Sequence, residues 1–90
     1  MQKTCAMPTV LIIFGFRFYF YSDEHEPIHV HVDYGDNWCK IQLVPNVELM
    51  ENHGMKRQEI KKALGVAKLY KEDFIKRWYE YFKKKNEKNN

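Results

Sequence analysis

Two stretches of alternating apolar and polar residues flank a turn sequence, and they constrain the fold more than any other feature. Residues 28–33 read IHVHVD and residues 38–44 read WCKIQLV, with YGDN between them. Successive strand residues point to opposite faces, and Gly, Asp and Asn favour tight turns. The pattern therefore predicts a β-hairpin with one apolar face and one polar face.

The same alternation predicts a single register for this hairpin. If Asp33 lies opposite Trp38, the apolar residues of the two strands face one another and His31 lies opposite Lys40. A slip of one residue would mix apolar and polar side chains on both faces, so other registers are disfavoured.

Helical periodicity replaces strand alternation after residue 55. Apolar residues then recur at steps of three and four, which is typical of an amphipathic helix. We predict two helices, over residues 56–69 and 72–84, because one unbroken helix would be long for so small a domain. Further strands are predicted over residues 8–13 and 16–21, and residues 47–50 are a candidate for one more, short edge strand.

These elements predict an α+β fold, in which a small three- to four-stranded, mainly antiparallel sheet is followed by two C-terminal helices packed on one face. The face that we expect the helices to cover carries apolar side chains at alternate strand positions: Phe16, Phe18, Phe20, Val30, Val32, Ile41 and Leu43.

Charge is distributed unevenly along the 90 residues. Residues 1–55 hold three Lys or Arg against seven Asp or Glu, whereas residues 56–90 hold twelve against five, so the halves carry −4 and +7. A basic helical end attracts nucleic acid or an acidic partner protein, although Lys-rich helices are also simply soluble. The two cysteines form no disulfide framework and no apolar run is long enough to span a bilayer, so we expect a cytoplasmic protein.

Three of the four histidines fall within seven residues, at His25, His29 and His31. The last two should share one strand face, roughly 6.5–7 Å apart at about 3.3 Å per residue. This spacing suits a general acid and base on either side of a phosphate, with Lys40 nearby to hold its charge.

Two other interpretations of the histidines stay open. His25 or Asp33 would complete a metal site with His29 and His31, although Lys40 would repel the cation. Alternatively the two strand histidines form an ordinary polar sheet face, cross-paired with neighbouring strand residues.

Aromatic and basic residues near the histidines suggest contacts to RNA. Arg17 and Lys40 are candidate phosphate contacts, and Tyr34 and Trp38 are candidate platforms on which an unpaired base stacks. The rival explanation is that this face is covered by the helices or by a partner.

Several motifs resemble those of a small bacterial family, domain of unknown function 4160, whose members typically read MPT, then FFG, then DHxPPHFHVxYG. This chain has Met7-Pro8-Thr9, Phe14-Gly15 and a block over residues 23–35 that keeps His25, His29 and His31. It departs from the family pattern at Glu26 and Val30, neither of which removes a histidine.

The resemblance implies that Met7 is the natural start. Length and residue patterns predict a single domain over residues 1–90, with a sheet part over 7–50, a helical part over 55–84 and a basic tail over 85–90, to which the resemblance adds an extension over 1–6. The resemblance also implies a context, since such proteins are often paired with another small protein and proposed as toxins of toxin–antitoxin modules.

The leading functional hypothesis is therefore a toxin-like bacterial protein that acts on RNA as a metal-independent ribonuclease, with catalytic His25, His29 and His31 and no cofactor. Its expected partners are a small antitoxin-like protein and RNA. No contact with a membrane is expected, and a homodimer is compatible with the sequence. The alternatives are a non-enzymatic module that binds a protein or nucleic acid through its basic helices, and a histidine-based metal-binding protein.

Overall fold

The computed structural model describes residues 9–20 and 27–89, the last seven of them as backbone only. Predictions about His25, the 1–6 extension and the start of the first strand lie outside the described residues. The elements are β1 (Thr9–Ile13), β2 (Phe16–Tyr19), β3 (His29–Tyr34), β4 (Asn37–Gln42), β5 (Glu48–His53), α1 (Arg57–Leu69) and α2 (Lys71–Asn89).

The five strands form one open antiparallel sheet in the order β1-β2-β3-β4-β5. Two C-terminal helices follow it, so the predicted α+β fold is confirmed. The strand count is higher than the three or four expected, because residues 48–53 form a full six-residue strand on β4.

The central hairpin has the predicted register. Asp33 pairs with Trp38 and His31 pairs with Lys40. The strands extend one pair further than expected, to Tyr34 and Asn37, which leaves a two-residue turn. Gly35 opens that turn with a φ of 61°, a left-handed conformation that glycine adopts without a steric penalty.

The hydrophobic core lies between the apolar face of the sheet and the helices. The rings of Phe18 on β2 and Phe74 on α2 are 5.5 Å apart, and Ala63 and Ala67 bring α1 close to the strands. Helices therefore cover the predicted face. The buried hydrophobic residues of this cluster are Phe16, Phe18, Phe20, Ile28, Val30, Val32, Cys39, Ile41, Leu43, Met55, Ala63, Val66, Ala67, Phe74 and Trp78.

The helical region breaks at Tyr70, as the sequence predicts. Tyr70 has φ −104° and ψ 13°, outside the helical range, while its N–H still donates to the carbonyl of Val66 at 2.9 Å. At the other end of α1, the Glu59 side chain accepts the backbone N–H of Lys56 at 2.8 Å, which satisfies a donor that the helix itself leaves unpaired. Among the described residues, no helix is both long and apolar enough to cross a bilayer.

The β1–β2 turn consists of Phe14 and Gly15, both with positive φ, at 54° and 83°. A methyl group added at Gly15 would lie 3.1 Å from a ring carbon of Tyr34, closer than ordinary van der Waals contact. Glycine is therefore required here both by the backbone conformation and by the approach of the Tyr34 ring.

We predict opposite effects for alanine at two glycines. Gly15→Ala should lower the free energy of unfolding by about 1–2 kcal/mol because of its left-handed backbone. Gly65→Ala, inside α1 where an added methyl meets nothing within 4 Å, should raise it by about 0.5–1 kcal/mol. Urea denaturation measures both, and stabilisation by Gly15→Ala would contradict the turn geometry.

The Cys39 thiol should be unreactive in the folded protein. Its side chain is fully buried, and desolvation, with a smaller contribution from the charge of Asp33, raises the pKa of the thiol to about 12. In the variant Cys5→Ser, Cys39 is the one remaining thiol. Iodoacetamide should modify it no faster than the protein unfolds, and mass spectrometry follows the modification. Modification in native buffer at the rate seen in urea would place Cys39 outside the core.

Candidate functional site on the polar face of the sheet

The polar face of the sheet is the side opposite the helix-covered core. The strand registers place nine chemically functional side chains on it. They are Arg17, Tyr19, His29, His31, Asp33, Trp38, Lys40, Glu51 and His53. Their proximity follows from the antiparallel pairing, because residues directly opposite on neighbouring strands point to the same side.

The two strand histidines are buried, with 4% of His29 and 1% of His31 exposed. The His31 ring stacks on Tyr19 at 5.4 Å between centroids, and the Trp38 ring lies 6.1 Å from it on the next strand. His29 lies a further 5.4 Å from His31. β3 is thus covered on both faces, and the polar face at its centre consists of packed rings.

His29 also has a defined orientation. Its Nδ1 lies 2.7 Å from the carbonyl oxygen of Pro27, and a carbonyl accepts only, so Nδ1 carries the proton that it donates. The ring of Trp78 from α2 lies 5.6 Å from His29 and 5.5 Å from Phe20. Trp78 therefore contacts both the apolar core and His29.

Arg17 belongs to a cluster at the β1 side of the polar face. Its guanidinium lies 3.3 Å from the Asp33 carboxylate and donates from Nε to Thr9 at 2.9 Å. Tyr19 donates its hydroxyl proton to the other Asp33 oxygen at 2.9 Å, and its ring lies 4.3 Å beneath the Arg17 guanidinium. The Arg17 charge is thus partly balanced within the protein.

A second cluster lies at the β5 side and joins two strands. Glu51 accepts from His53 Nε2 at 2.9 Å and pairs with Lys40 Nζ at 3.2 Å. The imidazole of His53 stacks on Trp38 with ring centres 4.0 Å apart. The hydrogen bond from His53, followed by that from Lys40, holds the pKa of the Glu51 carboxyl below its ordinary value.

Sequence reasoning missed this second cluster. The alternation of Glu51 with His53 is a sequence signal, but the pairing partner of β5 is needed to relate them to Lys40 and Trp38. A register shift in β5 opposite Lys40 and Ile41 makes that pairing irregular, so simple alternation does not extend across it.

Of the predicted site residues, five share the polar face: Arg17, His29, His31, Trp38 and Lys40. Tyr34 does not join them. It alternates with Val30 and Val32, so it lies on the apolar side, with its ring 4.6 Å from that of Phe16. The sequence predicts Tyr34 in the turn, but β3 continues to Tyr34. Extending the strand alternation by one residue would have placed Tyr34 on the apolar side.

The chemistry open to this arrangement is limited by burial and by internal pairing. The His31 ring has almost no contact with solvent, so an RNA phosphate has no direct path to it. The charges of Arg17 and Lys40 already face carboxylates. Among the described residues, which exclude His25, no group of three or more His, Cys, Asp or Glu side chains is arranged to hold a metal ion.

The family model of Domain of unknown function (DUF4160) matches this chain over residues 15–79. The chain belongs to the DUF4160 family. Neither the curated proteins nor the solved structures give a match to this chain. The residues matched to DUF4160 contain the whole polar face described above, together with all of α1, so both lie within the family domain.

We predict that the pKa of Glu51 in this DUF4160 protein depends on its two donors. His53→Ala should raise this pKa towards its ordinary value, and Lys40→Met should raise it less, because the His53 hydrogen bond is the larger cause. Carboxyl chemical shifts in an NMR titration measure both changes.

Met50→Ala in the same strand is the matched control, since Met50 makes neither of the contacts that lower the Glu51 pKa. It should leave the Glu51 titration unchanged. The pairing stabilises the folded state above the ordinary carboxyl pKa and is lost as the pH falls, because folding lowers that pKa. If His53→Ala left the pKa of Glu51 unchanged, the proposed hydrogen-bond network would be contradicted.

Proposed function

We propose that this protein is a non-enzymatic interaction module that binds an acidic partner protein through the solvent side of α1. The observation that carries the proposal is a continuous basic surface on that helix. We call it the basic face. It consists of Arg57, Gln58, Lys61, Lys62, Gly65, Lys68 and Leu69, all of which are exposed.

Helical spacing explains why these residues form one surface. Residues three and four apart lie on the same side of a helix, which groups Arg57 with Lys61, Gly65 and Lys68. The buried residues Ala63, Val66 and Ala67 lie on the opposite side and anchor α1 on the sheet. The basic side chains therefore extend from a well-packed helix.

The charge of the basic face is not neutralised by the described part of the chain. Neither Asp nor Glu occurs among its seven positions. No hydrogen bond or ion pair joins Arg57, Lys61, Lys62 or Lys68 to another described side chain. Arg17 and Lys40 on the sheet, by contrast, already pair with carboxylates, so α1 is the better candidate for an anionic partner.

Two uncharged positions favour a protein over RNA as that partner. Leu69, next to Lys68 and one turn from Gly65, is 77% exposed, and an apolar side chain of this kind gains from a protein interface but not from a phosphate backbone. Gly65, at the centre of the face, has no internal steric reason to be glycine, since an added methyl would meet nothing within 4 Å. A partner surface can approach the helix closely there.

The ribonuclease hypothesis and the metal hypothesis both stay predictions. The burial of His29 and His31 argues against a catalytic role for these rings, because a reactive imidazole must reach the substrate. Their ring contacts with Tyr19, Trp38 and Trp78 instead support a packing role. Histidine substitutions should therefore affect stability more than binding.

The binding test uses the product of the neighbouring gene, the small partner that the family resemblance implies. Calorimetric titration should give a dissociation constant that weakens steeply with added salt. The double variant Lys61→Gln/Lys68→Gln should weaken it by about tenfold, as expected for two interfacial charges. Lys76→Gln, an exposed lysine on α2 outside the basic face, is the control and should change it little.

A second measurement separates binding from the histidine chemistry. His31→Ala should lower the free energy of unfolding by about 2–4 kcal/mol, as for other buried ring truncations, yet leave the dissociation constant unchanged when measured well below its melting temperature. Cleavage of a mixed-sequence RNA oligonucleotide that disappears in folded His31→Ala would overturn the proposal in favour of a ribonuclease.

A further inference from the structure

A cleft opens beside the basic face, where the two hairpin turns meet the start of α1. Its volume is about 240 Å³. Phe14, Phe16 and Tyr34 supply its aromatic walls, and α1 supplies a polar side through Gln58, Glu59 and Lys62. Gln58 and Lys62 also belong to the basic face, so the cleft and that surface are continuous.

The two-residue β1–β2 turn requires a positive φ at both of its positions, but phenylalanine is not a residue that such a turn favours. The φ of Phe14, 54°, is left-handed, which costs a residue with a side chain about 1–2 kcal/mol. Burial of the ring does not offset this cost, because 69% of Phe14 is exposed. Backbone strain combined with an exposed aromatic ring is a pattern found at ligand-binding sites.

The other two rings form a packed wall for the cleft. Phe16 and Tyr34 lie 4.6 Å apart at an interplanar angle of 32°, and Phe16 is fully buried. Gly15 allows the Tyr34 ring to approach the turn. The wall is therefore largely formed before any ligand binds, so little ordering entropy is lost on binding.

The volume and lining of the cleft select its ligand. The cleft is smaller than the roughly 300–1,000 Å³ typical of sites for whole small molecules, and it suits a single side chain. Phe14 and Tyr34, the two lining rings with accessible surface, favour a flat ring, since offset and tilted ring pairs attract one another. Lys62 at the polar side, next to the other cations of α1, favours carboxylates on the flanking residues.

We propose that this cleft binds an aromatic side chain carried by an acidic segment of the partner protein. The inference rests on the proposed function and specifies its partner: carboxylates of the segment pair with the basic face while the ring enters between Phe14 and Tyr34. A cationic side chain suits the cleft less well, because Lys62 would repel it and Glu59 already uses one oxygen to accept the Lys56 N–H.

The test compares three synthetic peptides with blocked ends by NMR titration of the full chain: Glu-Asp-Tyr-Asp-Glu, Glu-Asp-Ala-Asp-Glu and Lys-Lys-Tyr-Lys-Lys. The acidic tyrosine peptide should bind about three- to tenfold more tightly than the acidic alanine peptide, as expected for one aromatic contact. It should shift the amide signals around Phe14, Tyr34 and Lys62. The basic peptide should produce no shifts there.

A matched pair of variants assigns the effect to Phe14. Phe14→Asn should abolish the advantage of tyrosine over alanine while preserving or raising the melting temperature, because Asn tolerates the left-handed conformation. Ile12→Asn is the control. Ile12 is equally exposed, at 69%, but pairs with Arg17 and so lies on the opposite face of the sheet. It should leave the tyrosine advantage intact.

The outcomes separate the cleft from the basic face. If the two acidic peptides bind with equal affinity, the aromatic cleft is overturned as a binding site. If the double variant Lys61→Gln/Lys68→Gln then binds neither peptide, the basic face is still supported. Binding of the basic tyrosine peptide in preference to the acidic one would overturn both ideas in favour of a cation site. A tyrosine advantage that survives Phe14→Asn would also overturn the assignment to this cleft.

Discussion

The packing of the helices onto one face of the sheet is the interaction on which the rest of this structure depends. Phe18 and Phe74 meet across that layer, and Ala63 and Ala67 allow α1 to lie close to the strands. The gain comes mainly from removing large aromatic and branched side chains from water. Because one side of α1 is held in this way, its other side is presented to solvent in a fixed orientation.

The polar face shows how a small domain uses polar residues for packing. Residues 29–32 of β3 are buried, so His29 and His31 lie among rings while their neighbours at the sheet edges pair in charge networks. A 90-residue chain has few residues with which to form a core, and stacked Tyr, His and Trp rings extend the buried volume. Surface available for binding includes the solvent side of α1 and the hairpin turns.

Much of the architecture could be predicted because local patterns determine it. Alternation around Gly35 specified the β3–β4 register, and helical periodicity with its break at Tyr70 specified both helices. The candidate site was less accessible to prediction. The contact of Glu51 with Lys40 depends on an irregular β4–β5 register, and the burial of His31 depends on rings brought from neighbouring strands.

Which side chains share a face follows from the sequence alone, because strand and helix periodicities are properties of the local backbone. The basic character of α1 follows from it too. Which of those faces is accessible depends instead on tertiary packing, since burial is set by what packs against a surface from distant parts of the chain. Thus His29 and His31 became packed interior, while Tyr34, which alternates with the core residues of β3, became a wall of an open cleft beside α1.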